Sequence, residues 1–129
     1  MEAGFHLYLQ FADELENDIL SGRKAPGQKL PSIREMASLY GVNPNTIQRG
    51  LSELKRKGLI SGHHTRGFQV AMDVEFIATY KAHKVQSIIH SFLSQMESLG
   101  YTKEQTVVSF LSRKDLHSIK SIKSLKFEK

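Results

Sequence analysis

The central part of the chain reads SIREMASLYGVNPNTIQRGLSELKRKG over residues 32–58. Ser32 is a good helix N-cap, and Glu35 stands three residues later, which is the spacing of a capping box. Gly41 can close this first helix in the left-handed conformation, and a second helix follows at once. Two short helices joined by a tight turn that contains glycine are typical of a helix-turn-helix unit. In that unit the second helix enters the major groove of DNA.

The second helix has a clear division between an apolar and a polar side. Asn43 and Pro44 suit its N-cap and its first helical position, and Gly58 ends it. Its inward face is predicted to consist of Ile47, Leu51 and Leu54. Its first turn and a half leaves polar side chains facing outward or sideways: Asn45, Thr46, Gln48 and Arg49. Such side chains can hydrogen-bond to base edges and phosphates.

A further helix and a hairpin flank this pair. An apolar residue recurs every four positions at Leu7, Phe11, Leu15 and Ile19. This spacing predicts an amphipathic helix that ends near residues 21–22. Residues 59–60 and 68–70 resemble two short strands around a polar tip, 62–67, with Arg66 exposed at its end. The predicted fold class is therefore mainly α with a small β-hairpin wing, a winged helix-turn-helix over residues 1–72.

The C-terminal part, residues 73–129, has a different pattern. A long helix is predicted up to Gly100, followed by a capping box at Thr102 and Gln105 and another helix. After Lys114 the pattern is only weakly helical. Two helices cannot easily bury all their apolar surface alone, so a second copy of the chain is the natural cover. The predicted residues of this α-helical dimerisation arm are Ile77, Val85, Ile88, Ile89, Phe92, Met96, Val108 and Leu111.

Composition and charge limit the possible functions. The chain has 129 residues, too few to hold a catalytic domain with its own cleft comfortably beside the helix-turn-helix. It contains no cysteine, which excludes disulfides and thiolate metal sites. It shows no secretory leader and no long apolar run, so we expect a cytoplasmic protein without a membrane partner. Residues 23–70 carry nine basic and two acidic residues, which favours a polyanionic partner.

The order of these motifs closely resembles the GntR family of bacterial regulators. The resemblance covers residues 7–70 and rests on LPSIREMA at 30–37, GVNPNTI at 41–47, LSELKRKGLI at 51–60 and RGFQV at 66–70. The short C-terminal part is similar to that of the YtrA-type subfamily. The resemblance implies a homodimeric repressor that binds double-stranded operator DNA at an inverted repeat and often controls a transporter operon.

The resemblance also implies which residues face DNA. Carried over position by position, they are Ser32, Arg34, Asn43, Asn45, Thr46, Gln48, Arg49, His64, Thr65, Arg66 and Gly67. Three positions depart from the pattern. Thr65 replaces the usual glycine, so we expect a shallower wing tip, and Pro44 replaces an arginine found in other branches. Gly50 stands where alanine is common, at a cost of about 1 kcal/mol in helix propensity.

Several of these features have other interpretations. Arg34 could form an ion pair with Glu35 or Glu53 instead of binding DNA. The basic run at 55–57 is interpreted as background attraction for DNA, aided by its place at a helix C-terminus. His63 and His64 are expected to point to opposite faces of a strand, which makes them a poor metal chelate. The sequence therefore predicts no metal site, no cofactor and no enzyme motif.

Two other functions stay open at this stage. The winged helix could bind a protein, although such a surface would favour aromatic residues over Asn, Thr, Gln and Arg. Alternatively, the C-terminal helices could hold a small-molecule effector. The aromatic candidates for such a pocket are Tyr80, Phe92, Tyr101 and Phe110, although aromatics at helical spacing are more often core.

Overall fold

A computed structural model of the chain describes the backbone of residues 2–112 and the side chains of residues 7–112. In chain order its elements are α1 (Glu2–Ser21), α2 (Ile33–Tyr40), α3 (Pro44–Arg56), β1 (Ile60–His63), β2 (Gly67–Val70), α4 (Val74–Ser98) and α5 (Lys103–Leu111). The fold class predicted from the sequence, mainly helical with a two-stranded antiparallel hairpin, is confirmed. The weakly helical pattern predicted after Lys114 lies outside the described residues.

Side chains at the helix ends form the predicted caps. The backbone amide of Glu35 donates to Ser32 Oγ at 3.1 Å, and the backbone amide of Ser32 donates back to the Glu35 carboxylate at 2.9 Å. Gly41 closes α2 with φ of +65°, in the left-handed region. Asn43 then caps α3 by accepting a 2.8 Å hydrogen bond from the amide of Asn45. The turn between α2 and α3 is thus built from local hydrogen bonds.

The core of the winged helix lies where α1, α2, α3 and the hairpin meet. The predicted inward face of α3, formed by Ile47, Leu51 and Leu54, is fully buried. On α1 the buried stripe starts at Phe11, whereas Leu7 is exposed. Burial of the apolar side of α3 leaves its other side for solvent or a ligand.

The hairpin is longer and its turn shorter than the sequence predicts. β1 and β2 pair from Ile60 opposite Val70 to His63 opposite Gly67, so the turn itself contains only residues 64–66. The segment before α2 adds to the sheet, because the amide of Leu30 donates to the Phe68 carbonyl at 2.9 Å. This pairing ties the wing to the link between α1 and α2.

The contacts divide the described residues into two compact units, with the division between residues 82 and 83. The first turns of α4 pack within the first unit. Ile77, predicted as a dimerisation residue, is only 8% exposed and lies in the core of this first unit. Its side chain is therefore packed within this unit and leaves little surface for a second copy to cover. No helix among residues 2–112 is long and apolar enough to span a membrane.

The second unit contains the rest of α4 and α5. Its predicted capping box is confirmed: the amide of Gln105 donates to Thr102 Oγ1 at 3.1 Å, and the Gln105 side chain accepts from the amide of Thr102. Thr106 is buried and donates its hydroxyl proton to the Thr102 carbonyl at 2.9 Å. Much of the apolar surface of this unit is nevertheless exposed.

At Gly50, α3 lies in close contact with α1. A methyl group added at this position would lie 2.5 Å from Cδ2 of Phe11 and 3.2 Å from the carbonyl oxygen of Tyr8. Phe11 is buried, and its ring also makes an edge-to-face contact with Tyr40, so it has little freedom to move away. From the sequence alone Gly50 looks unfavourable, because glycine has a lower helix propensity than alanine. The packing of α1 against α3 nevertheless requires a glycine at this position.

The buried carboxylate of Glu16 in α1 links this helix to the C-terminal end of α3 and to α4 within the first unit. The carboxylate of Glu16, whose side chain is 5% exposed, accepts from the Lys57 ammonium at 3.0 Å and from the Tyr80 hydroxyl at 3.3 Å. Burial lowers the pKa of Lys57, but the hydrogen bond and the charge of Glu16 outweigh it, so the pKa is raised overall. The lysine is therefore charged at neutral pH and secures the C-terminal end of α3.

We expect Gly50→Ala to lower the free energy of unfolding by about 1–2 kcal/mol, because the strain of overpacking exceeds the gain in helix propensity. Chemical denaturation followed by circular dichroism measures this change. Ser52→Ala is the matched control: it is exposed on the same helix, and it should be neutral or slightly stabilising. A Gly50→Ala variant that is as stable as the unaltered chain would contradict the packing explanation.

We expect Lys57→Ala to lower the free energy of unfolding by about 2 kcal/mol, since it withdraws positive charge from the buried Glu16 carboxylate. Arg56→Ala, which removes an exposed ion pair with Glu53, should change the stability little. Because the folded-state pKa of Lys57 is raised, the difference in free energy of unfolding between Lys57→Ala and the unaltered chain should have its full size at pH values below the ordinary lysine pKa. It should disappear as the pH rises through the raised value. Equal effects of the two variants at neutral pH would refute the role of Lys57.

Candidate nucleic-acid interface

The exposed side of α3 carries the polar residues predicted to face DNA. Asn45, Gln48 and Arg49 are exposed, and Thr46 is half-buried. Asn45, Gln48 and Arg49 line one shallow groove together with Tyr8, Ser52, Glu53 and Arg56. The structure thus brings three of the predicted residues onto one surface, backed by the buried apolar face of the same helix. Donors and acceptors of this kind suit base edges and phosphates.

Ser32 and Arg34 lie at the start of α2, where both are exposed. Ser32 accepts a hydrogen bond as the helix cap, while its hydroxyl still carries a proton that a phosphate oxygen could accept. The sequence left open an ion pair between Arg34 and Glu35 or Glu53. Among the described residues Arg34 forms neither pair. Glu35 is engaged with Ser32, whose hydrogen bonds lower the pKa of that carboxyl, and Glu53 pairs with Arg56. Arg34 can therefore meet an anion at the N-terminal end of a helix.

The wing presents His64, Thr65 and Arg66 in its turn, all of them exposed, and Gly67 begins β2. The expectation that His63 and His64 point to opposite faces is wrong. Their ring centroids lie 4.2 Å apart, because His64 belongs to the turn and the alternation of a strand ends at His63. Nδ1 of His63 also lies 3.0 Å from Thr65 Oγ1. Within the described part of the chain no group of three or more potential ligands could hold a metal ion.

The basic residues 55–57 at the end of α3 form contacts within the protein, which the sequence analysis did not predict. The ammonium of Lys55 donates to the carbonyl oxygen of Gly62 at 2.6 Å, so it joins α3 to the wing. Arg56 pairs with Glu53, and that partnership raises the pKa of the guanidinium and lowers the pKa of the Glu53 carboxyl. Lys57 is bound to Glu16. All three cations thus have intramolecular partners: Lys55 links α3 to the wing and Lys57 links its C-terminal end to α1, whereas Arg56 pairs within α3 itself.

Tyr8 is a residue of this surface that the sequence analysis did not identify. The Cζ atom of Arg49 lies 4.2 Å from the centroid of the Tyr8 ring, within the range of a cation–π contact. Tyr8 follows Leu7 in the first turns of α1 and falls outside the apolar stripe. Only the contact between α1 and α3 brings it beside Arg49, so no local pattern could indicate it.

The four aromatic residues considered for an effector pocket have different surroundings in the described part of the chain. Tyr80 belongs to the first unit, where its hydroxyl donates to Glu16. In the second unit an open cleft of about 590 Å³ is lined by Leu99, Gly100, Tyr101, Glu104, Gln105, Val108 and Ser109. Of the four aromatics, this cleft contains Tyr101. Phe92 and Phe110 are instead exposed on the helix surfaces.

Known proteins share both the sequence and the fold of this chain. The family model described as "Bacterial regulatory proteins, gntR family" matches residues 7–70. The HTH-type transcriptional regulator YhcF of Bacillus subtilis is 39% identical over 99 residues, which cover 77% of this chain and 82% of that protein. The HTH-type transcriptional repressor YtrA of the same organism is 37% identical over 65 residues, half of each chain.

A solved structure agrees with these sequence relatives. A GntR family transcriptional regulator from Listeria monocytogenes superposes with a TM-score of 0.77 at 29% identity, covering 83% of this chain and 94% of that one. The matches with YhcF and with the solved structure both extend well beyond the 64 residues (7–70) of the family model. The chain therefore belongs to the gntR family of DNA-binding bacterial transcription regulators.

Proposed function

We propose that this protein is a homodimeric repressor that binds double-stranded operator DNA at an inverted repeat. The observation that carries the proposal is the surface of α3, on which Asn45, Gln48 and Arg49 are exposed while the opposite face is fully buried. The leading end of α3 enters the major groove, and the turn of the wing reaches the neighbouring minor groove. Repression is supported by the similarity to YtrA, which is a named repressor.

The residues of this surface divide into two roles. Gln48 can form two hydrogen bonds to adenine in the major groove, and so contributes sequence recognition. Arg34 and Arg49 contact phosphates, which fix the register of the protein on the duplex. Arg66 provides a cation at the tip of the wing. The full set of proposed DNA contacts is Ser32, Arg34, Asn43, Asn45, Thr46, Gln48, Arg49, His64, Thr65, Arg66 and Gly67.

The chemistry of α3 favours DNA over a protein partner. Its exposed side carries amides, guanidinium groups and a hydroxyl, whereas protein interfaces are enriched in exposed aromatics at their centre. The excess of basic residues in this part of the chain agrees with a polyanionic ligand. The resemblance to YtrA-type regulators suggests a transporter operon as the regulated target.

The dimer is proposed from the apolar surface of the second unit. Val85, Ile88, Ile89, Phe92 and Met96 follow one another at helical spacing along one face of α4. Four of them are exposed, from 44% at Val85 to 59% at Ile88, and Met96 is half-buried. On α5, Val108 is exposed and Leu111 half-buried. A second copy that covers this surface would stabilise the dimer by about 25 cal/mol for each Å² of apolar area removed from water.

We expect Arg34→Ala to weaken binding to DNA by at least ten-fold, an estimate based on the usual value of charged hydrogen bonds, without unfolding the protein. The probe is the duplex recovered most strongly by the unaltered chain from a random DNA pool, and the assay is a gel shift at physiological salt. Lys81→Ala, which removes one exposed charge from α4, is the matched control and should bind nearly normally. An Arg34→Ala affinity equal to that of this control would refute the assigned contact.

We expect Phe92→Glu to convert a dimer into a monomer of 14.6 kDa, because a carboxylate would have to be buried in an apolar interface. Light scattering coupled to size-exclusion chromatography measures the mass. Ser94→Glu adds the same charge on the opposite side of α4, and it should leave the dimer intact. The dimer proposal fails if the unaltered chain is monomeric at micromolar concentration, or if both variants dissociate equally.

A further inference from the structure

The contact between Tyr8 and Arg49 links α1 to the proposed DNA-binding surface. The guanidinium carbon lies 4.2 Å from the ring centroid, so the cation covers the face of the ring. Both side chains line the groove that also contains Asn45 and Gln48. The first helix thus places an aromatic ring directly beside residues proposed to read DNA.

The backbone packing explains why the ring lies there. Gly50 follows Arg49, and a methyl group at Gly50 would lie 3.2 Å from the carbonyl oxygen of Tyr8. The absence of a side chain at Gly50 therefore allows the backbone of α1 to approach α3 at the turn that carries Tyr8. Phe11, in the next turn of α1, fills the space against Gly50. Arg49 and Gly50 are adjacent, so the same approach that requires the glycine delivers the ring to the arginine.

A stacked guanidinium can still bind a phosphate. The guanidinium carbon lies over the ring, 4.2 Å from its centroid, and a guanidinium that rests against an aromatic face keeps its N–H donors in its own plane, where they can reach a ligand. Two parallel hydrogen bonds to one phosphate are therefore compatible with the cation–π contact. Charge favours this ligand too, because Glu53, the carboxylate of the groove, is already paired with Arg56. The remaining charge on the groove, that of Arg49, is positive.

We propose that Tyr8 is a positioning residue for DNA recognition: its ring holds the guanidinium of Arg49 in place to bind a phosphate oxygen beside the base-reading residues Asn45 and Gln48. A free arginine side chain populates many rotamers, and ordering them on binding reduces affinity. The contact with the Tyr8 ring restricts the Arg49 side chain before DNA binds, so less conformational entropy is lost on binding. This inference rests on the proposed DNA-binding function and adds α1 to the recognition surface.

A double-mutant cycle on the full chain tests the inference. The probe is a duplex of about 30 base pairs selected from a random pool by the unaltered protein, long enough to hold two half-sites one helical turn apart. The variants are Tyr8→Leu, Tyr8→Phe, Arg49→Ala and the double variant Tyr8→Leu/Arg49→Ala. Thermal unfolding of each variant confirms that it is folded at the assay temperature. Titration at several salt concentrations then gives the affinity and its salt dependence.

We expect Tyr8→Leu to weaken binding by about three- to ten-fold, the range expected for a partly exposed cation–π contact. Tyr8→Phe keeps the ring face and should bind nearly as the unaltered chain does. In the Arg49→Ala background Tyr8→Leu should have no further effect. Arg49→Ala should also reduce the slope of log affinity against log salt by about one, as the loss of one phosphate contact requires.

The possible failures are distinguishable. If Tyr8→Leu weakens binding equally with and without Arg49, the ring only supports the fold and the inference is overturned. Equal losses of affinity for Tyr8→Phe and Tyr8→Leu would overturn it as well, since Tyr8→Phe keeps the aromatic ring that the inference requires. If the unaltered chain retains no duplex from the pool, the proposed function itself fails, and this inference fails with it.

Discussion

The close packing of α1 against α3 at Gly50 is the contact on which the geometry of the first unit depends. With no side chain at this position, the backbone of Tyr8 and the ring of Phe11 come directly against α3. The apolar face formed by Ile47, Leu51 and Leu54 is then removed from water. Burial of that face determines the rotation of α3 about its own axis, and so determines that Asn45, Gln48 and Arg49 are exposed together.

Electrostatic contacts hold the other end of α3. Lys57 is tied to the buried carboxylate of Glu16, which also accepts from Tyr80 at the start of α4. Lys55 donates to the wing at Gly62. A helix that is capped at Asn43, packed at Gly50 and tied down at its last turn keeps its exposed side chains in fixed positions. Such preorganisation reduces the entropy lost when a rigid ligand like duplex DNA binds.

Local chemistry explains what could be predicted from the sequence. The caps at Ser32 and Asn43, the C-terminal glycine of α2 and the apolar face of α3 depend on neighbours within a few residues, so their spacing is sufficient evidence. The order of motifs along residues 7–70 indicated the family, and the family model that matches the same residues confirms it.

Contacts between distant segments explain what could not be predicted. Gly50 looked unfavourable because helix propensity is a local quantity, whereas its partner Phe11 lies on another helix. Ile77 fitted the apolar pattern of α4 but packs in the core of the first unit. The length of the hairpin turn, which brings His63 and His64 together, depends on strand register. The partners of Lys55 and Lys57 and the position of Tyr8 likewise arise only once the chain is folded.

The central claim is that the leading end of α3 reads base edges while its other face stays buried in the protein. The structure of the chain bound to its selected duplex tests this most directly. The account predicts Gln48 within hydrogen-bonding distance of a base in the major groove, with the turn at 64–66 against the neighbouring minor groove. A complex in which Gln48 and Asn45 face solvent, and another part of the chain contacts the bases, would contradict it.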